Sequence, residues 1–294
     1  MRTRLHIFVN AADIDPDRLR ELLDDAEVQP EKITRPGTLG VYAAIIADDL
    51  LGAERLRDLL RRNGVESFLR HSRSASNDEA LSAPLSVLRV VTAERGEGGP
   101  RHGTTFTLEQ ACARCGTGAR PLGDVLLKAG DVPKKGPVFQ TLDHEYFVSD
   151  RVRDALGAAG ITGAEFHAVR AAAGAEERLP WSQLVAPYAL PPADPETSGG
   201  IRRQDPCPEC ERDGYFGTAQ SPLELRYSVG REDLERVPDF AVTWEHFGRS
   251  NLVEPFEDSV FAQPLIVVKP RAVDALLKLK IRNVAFDPVA VSDS

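Results

Sequence analysis

The chain of 294 residues contains four cysteines, and each belongs to a Cys-x-x-Cys pair: Cys112-Ala113-Arg114-Cys115, followed by Gly116, and Cys207-Pro208-Glu209-Cys210. Thiolates two residues apart point at one centre when a tight turn brings their side chains to the same side. Two such turns supply the four sulfurs that tetrahedral zinc prefers. Residues 116–206 intervene, a far longer gap than in a short zinc ribbon, so a shared ion would pin two remote stretches of chain together. The same pairs could instead be redox dithiols or plain free thiols. A redox pair opens a helix after a strand, where the helix end lowers one thiol's pKa. Here Gly116, Pro206, Pro208 and Gly214 are turn residues. The expectation is therefore one structural Zn²⁺ on Cys112, Cys115, Cys207 and Cys210, with His102, the histidine nearest a pair, as a reserve ligand.

Other chemistry is sparse. The sequence has no phosphate-binding loop of the Gly-x-x-x-x-Gly-Lys type and no Gly-x-Ser-x-Gly elbow. Thr141-x-x-His144 and Thr243-x-x-His246 each place a histidine directly after an acid, Asp143 or Glu245. A histidine beside a carboxylate can act as a general base. Neighbouring side chains on a strand face opposite ways, however, so packing or an interface is the expected role. Arg151 and Asp154 read as a surface ion pair on a helix.

A net charge of −9 repels phosphate backbones unless one face is strongly basic, and basic pairs such as Arg202-Arg203 and Lys134-Lys135 read as solvated loops. Nucleic acid is thus an unlikely partner, whereas a basic protein would be steered toward this surface. No stretch is apolar enough to cross a bilayer. Leu5–Val9 is too short for a signal-peptide core and acids follow it, so a cytoplasmic location is expected, where reduced thiols suit zinc.

The fold class expected is α/β (α+β). An N-terminal α/β domain spans residues 1–95, with strands at 4–10, 38–47, 65–70 and 85–91. One helix is opened by Asp15-Pro16 and a second, at 54–62, is stopped by Asn63-Gly64. Residues 72–83 are polar and turn-rich, and the glycines of 95–103 mark a linker. A second domain, 103–294, carries strand 104–110, a low-complexity run at 171–175 and a proline-rich surface loop at 186–206.

This second domain contains an internal repeat, at about 103–170 and 205–291. Shifting Phe147–Val169 by 120 residues onto Val267–Val289 matches eight of 23 positions: Val148/Val268, Arg151/Arg271, Asp154/Asp274, Ala155/Ala275, Leu156/Leu276, Ile161/Ile281, Phe166/Phe286 and Val169/Val289. Each copy begins with one cysteine pair, so the expectation is a duplicated strand-helix-strand unit clasped by a single zinc.

Residues 104–291, with two Cys-x-x-Cys knuckles each preceding a unit such as Phe147-Val148-Ser149-Asp150-Arg151 with Gly160-Ile161-Thr162-Gly163, resemble the double-CxxCG proteins expanded in myxobacteria. Those are immunity proteins of contact-dependent toxin systems. The resemblance implies a metal-clasped protein, without enzymatic activity of its own, that binds and neutralises a cognate toxin. Two departures stand out: Glu211 occupies the place of the glycine after the second knuckle, and the first ninety-odd residues lie outside the pattern. The alternatives from other classes are a zinc-containing enzyme using His144 and His246, and a nucleic-acid-binding zinc-knuckle protein relying on Arg114, Arg120, Arg202 and Arg203.

Overall fold

A computed structural model describes residues 2–34, 40–47, 49–91, 96–172, 177–218 and 221–292. The start of the strand expected at 38–47, the linker residue Arg95 and most of the 171–175 run lie outside the described residues. The fold is mixed α/β and divides into two compact units, Met1–Ser74 with Gly217–Leu223 and Ala75–Phe216 with Glu224–Ser294.

In the first unit β1 (Arg2–Asn10), α1 (Pro16–Asp25), β2 (Lys32–Thr34), β3 (Val41–Ala47), α2 (Leu50–Arg62) and β4 (Ser67–Ser74) follow in order. The sheet order is β2-β3-β1-β4 with every pair antiparallel, the split βαββαβ arrangement. Period-two alternation sends Leu5, Ile7 and Val9 of β1 to one face, where they meet Leu19, Leu22 and Leu23 of α1 and Leu56 and Leu60 of α2. Asp15 caps α1 by accepting from the amides of Asp17 and Arg18, and Pro16 fills the first turn, where a missing N–H is harmless. The second helix begins earlier than expected because the Asp49 side chain accepts from the Gly52 amide. It ends at Gly64, whose φ of 73° is the left-handed exit read from Asn63-Gly64.

The second unit opens with α3 (Asn77–Ser82), in a stretch expected to be turns. Its signal is a capping box, in which the Ser76 hydroxyl accepts the Glu79 amide and the Glu79 carboxylate accepts the Ser76 amide. Then come β5 (Leu85–Val90), β6 (Phe106–Thr107), β7 (Arg120–Pro121), β8 (Val125–Leu127), β9 (Val138–Gln140), β10 (Tyr146–Ser149) and α4 (Asp150–Ala158). They are followed by β11 (Glu165–Ala171), β12 (Arg178–Val185), β13 (Ile201–Arg203), β14 (Tyr215–Gly217), β15 (Arg226–Ser228) and α5 (Arg231–Arg236). β16 (Phe240–Phe247), β17 (Gln263–Val268), α6 (Pro270–Lys278) and β18 (Val284–Ser292) end the chain.

Two five-stranded sheets dominate this unit, ordered β8-β11-β12-β10-β9 and β15-β18-β5-β17-β16. They agree position by position in strand direction. β8 runs parallel to β11 and β15 to β18, and the remaining neighbours are antiparallel. The agreement extends to register across the 120-residue shift: Ser182 of β12 pairs with Val148 and Ala168, while Ser86 of β5 pairs with Val268 and Pro288. The helices Asp150–Ala158 and Pro270–Lys278 occupy the same shifted positions. Val152 and Leu156 of α4, Val273 and Leu276 of α6, and Phe240 and Phe286 share one core.

The strand expected to close the N-terminal layer, 85–91, is thus the central strand of the second unit's other sheet. The division falls after Ser74, not at 95, because β5 buries Leu85, Val87 and Leu88 between β17 and β18. Its counterpart β12 carried no clear strand signal, since Pro180 interrupts it and Ser182 and Gln183 are polar. Pro180 is tolerated beside a register shift in the facing strand between Ala168 and Arg170.

Three smaller expectations also change. The described part of the expected linker, 96–103, packs down, with Gly98 and Pro100 buried and the Gly98 amide held by Asp143 Oδ2 at 2.9 Å. The loop 186–206 docks Ala186, Leu190 and Ala193 in the interior and pairs Leu190 with Val242 through a backbone bond. Asp154 pairs with Arg153 rather than Arg151, and Arg271, the shifted partner of Arg151, reaches Asp239 at 3.1 Å.

Gly160 and Lys280 occupy the same place after α4 and α6, with φ of 62° and 56°. Glycine adopts this conformation freely, whereas a side chain with a Cβ is strained there. Replacing exposed Lys280 with glycine should therefore stabilise the protein by about 1 kcal/mol, read as a higher urea midpoint with an unchanged m-value. A lower midpoint would contradict this account of the turn.

Candidate metal centre

Both cysteine pairs sit on irregular turns that flank short strands. The first turn closes when the Gly116 amide donates to the Cys112 carbonyl at 2.8 Å. The second closes in the same way, the Glu211 amide donating to the Cys207 carbonyl at 2.9 Å. Each closure demands left-handed backbone after the second cysteine, and Gly116 has φ 81° and Glu211 φ 56°. Gly116 has a second constraint, since a Cβ there would lie 2.4 Å from the Phe261 ring. Glu211 faces solvent, where its carboxylate meets Arg203 at 3.1 Å, so the position accepts a side chain at the cost of backbone strain.

The turns bring all four sulfurs together. Cys112 Sγ lies 3.9 Å from Cys207 Sγ, Cys115 Sγ lies 3.6 Å from Cys210 Sγ, and the four ligand atoms are all within 4.8 Å of one another. Metal–thiolate bonds of about 2.3 Å at tetrahedral angles would set sulfurs about 3.8 Å apart, so the set fits one metal ion. The cysteines are not joined in disulfides. His102 stands outside this group, which is made of the four thiols alone.

The surroundings hold the thiols in place. Buried Asp213 accepts the Cys207 amide on Oδ1 at 2.7 Å and the Ser250 amide on Oδ2 at 3.0 Å. Thr117 packs its hydroxyl 3.0 Å from Cys115 Sγ and donates to the Ser250 hydroxyl at 2.8 Å. Arg114 on one turn faces Glu209 on the other at 3.6 Å. Burial pushes the Cys115 and Cys210 thiols above their ordinary value. At Cys207 burial works in the same sense, but the amides of Cys210 and Glu209, together with the Cys115 and Cys112 thiols, outweigh it and hold the thiol below its ordinary value. Thiols kept protonated by burial are the groups a cation deprotonates on binding, so metal affinity falls with falling pH. Asp213, Thr117 and Ser250 carry no sequence signal, because they reach the sulfurs through the fold rather than through spacing.

The second turn is joined to the end of β16: the His246 amide donates to the Arg212 carbonyl and the Gly214 amide to the Gly248 carbonyl, both at 2.7 Å. This makes His246 a core residue, 3% exposed, with Nδ1–H donating to the Trp244 carbonyl at 3.0 Å. Burial, with Arg212 adding to it, lowers its pKa to about 4. His144 instead caps an exposed hairpin turn with φ 63°. What the two Thr-x-x-His motifs share is the threonine: Thr141 Oγ1 accepts the Glu145 amide at 3.2 Å and Thr243 Oγ1 the Leu265 amide at 3.0 Å, equivalent positions in the 120-residue shift. The basic face sketched from Arg114, Arg120, Arg202 and Arg203 is partly neutralised. Arg114 and Arg203 have acidic partners, and Arg202 lies over the Phe216 ring.

Two measurements follow from this arrangement. Asp213→Asn should weaken metal affinity by about 10- to 100-fold in a chelator competition, because one of the two amides loses its carboxylate acceptor; unchanged affinity would remove Asp213 from the centre. Glu145, fully buried, has its pKa raised by burial to about 7. Its contribution to stability is complete at acid pH and is lost as pH rises from about 4.5 to about 7. Glu145→Gln should therefore become more stable relative to wild type by about 2 kcal/mol between pH 5 and pH 6.5, with metal in excess during urea unfolding. Parallel pH profiles would contradict the buried, protonated carboxyl.

No protein-family model and no curated protein matches the chain.

Proposed function

We propose that the chain is a protein-binding protein, held in shape by one structural Zn²⁺ on Cys112, Cys115, Cys207 and Cys210, that neutralises a cognate bacterial toxin in the cytoplasm and has no enzymatic activity of its own. The observation that carries this reading is the meeting of four sulfurs from two remote segments, all within 4.8 Å. A set of four thiolates closes a tetrahedral site and leaves no position for water or substrate, so the ion acts as a clasp. Tetrahedral sulfur ligation selects zinc or iron among the common metals. Zinc, which has no redox chemistry, suits a site that ties loops together.

The partner class rests on charge and resemblance. A net charge of −9 favours encounter with a basic protein domain. The paired knuckles with their following strand-helix units resemble immunity proteins that block toxins by binding them. No helix among the described residues is long and apolar enough to cross a membrane.

Purified protein should be colourless and hold about one zinc per chain by elemental analysis, and Cys115→Ser together with Cys207→Ser should abolish retention of the metal. Co-expression with a candidate toxin gene from the same locus should restore growth to cells that the toxin arrests, and the two proteins should co-purify at low salt. Continued growth arrest despite abundant, zinc-loaded protein would count against toxin neutralisation while leaving the metal assignment standing.

A further inference from the structure

A cavity of about 310 Å³ lies in the second unit beside the metal centre, within the size range of small-molecule sites. Most of its wall is apolar, from residues such as Phe106, Leu184 and Ile266, and its polar groups include Arg120, Arg212, Gln183, Glu145 and His246. Two of these groups are buried and unpartnered, and they are complementary. Arg212 Nε is a donor without an acceptor, and Gln183 Oε1 is an acceptor without a donor. Gln183 is 4% exposed and uses its amide nitrogen on Glu145 Oε1 at 3.3 Å, which fixes the free oxygen. It sits in β12 where the matched position of the other sheet is Val87, paired with Val267 as Gln183 is with Phe147. A polar side chain at a position that is apolar in the matched sheet costs stability unless something pairs with it.

The charges point to the ligand's sign. Arg212 and Arg120 bring two guanidinium groups to the wall of the same cavity. The Arg212 Nε has no acceptor there. Arg120 spends one donor on the Pro187 carbonyl at 2.9 Å. An anion between the two guanidinium groups would supply the missing acceptor and relieve their mutual repulsion.

We propose that this cavity binds a small carboxylate with an apolar body and an N–H donor: the carboxylate on Arg212 and Arg120, the N–H on Gln183 Oε1, and the apolar part against Phe106 and Ile266. That chemistry occurs in a free N-acyl amino acid and in the last residue of a peptide chain. The site is independent of the toxin-binding reading.

The test is calorimetric titration of the zinc-loaded full-length chain with N-acetyl-leucine and N-acetyl-phenylalanine, their C-terminal amides, and a hexapeptide ending in whichever residue binds better. One acid should bind saturably at one site per chain and at least about tenfold more tightly than its amide, the loss expected on removing a charge-assisted bond. Arg212→Gln and Gln183→Leu should each weaken it by about tenfold or more. Ala189→Trp, which fills the cavity wall at an exposed position and keeps every polar group, should abolish binding. A hexapeptide that binds more tightly than the acyl amino acid assigns the site to a chain end; equal or weaker binding assigns it to a free small molecule. Absence of saturable heat from every probe, or amides binding as well as acids, would show that water alone fills the cavity and overturn the proposal. Undiminished binding by Gln183→Leu and Ala189→Trp would overturn it too, even if Arg212→Gln fails to retain zinc.

Discussion

Convergence of four sulfurs is the constraint on which the loop structure of this protein depends. The two cysteine turns are polar and rich in glycine and proline, and they bury few apolar side chains of their own. Backbone order in such segments is entropically costly. Here it is compensated by a shared metal-sized centre, by Asp213 bonded to amides of both Cys207 and Ser250, and by Phe261 pressed against Gly116. Removing the common centre would leave buried thiols with weak partners and loosen both turns at once, because each turn contributes two of its four sulfurs.

Around that clasp the second unit is built from two sheets of the same order, direction and register. The matched strands Leu85–Val90 and Arg178–Val185 enter the chain at different points: the first precedes its sheet's other strands, and the second follows the helix and strand it completes. Sheet pairing is satisfied by geometry, not by order in sequence, so a strand donated from residue 85 completes a sheet otherwise made after residue 226 as well as a local strand would. The shared core of α4, α6, Phe240 and Phe286 then welds the two sheets, and Arg271 adds a tie by meeting both Asp239 and the Ala159 carbonyl.

The polar residues inside this unit divide by whether they are satisfied. Glu245 accepts the Ala193 amide at 2.7 Å and Asp239 accepts from Thr162 and Arg271, so both act as struts. Gln183 and Arg212 retain unpaired atoms in one cavity. Natural interiors pair nearly all buried polar atoms, so such exceptions mark places where the sequence answers to something besides folding.

Much was legible in the chain itself. Cysteine spacing identified the four sulfurs, because a two-residue separation is a local geometric property. Cap and stop signals located α1 and α2, and the 120-residue self-match covered α4 and α6, which the fold sets in equivalent places, since a repeated pattern of buried positions demands the same packing twice. Tertiary structure alone decided the rest. That Leu85–Val90 belongs with Val267 and Phe286 depends on hydrogen bonds spanning the whole unit, which no local pattern encodes. The strand around Pro180 hid behind a proline and two polar residues that only its neighbours make tolerable. Asp213, Gln183 and Arg212 owe their roles to burial beside partners distant in sequence, and burial is a property of the folded surface rather than of any short stretch.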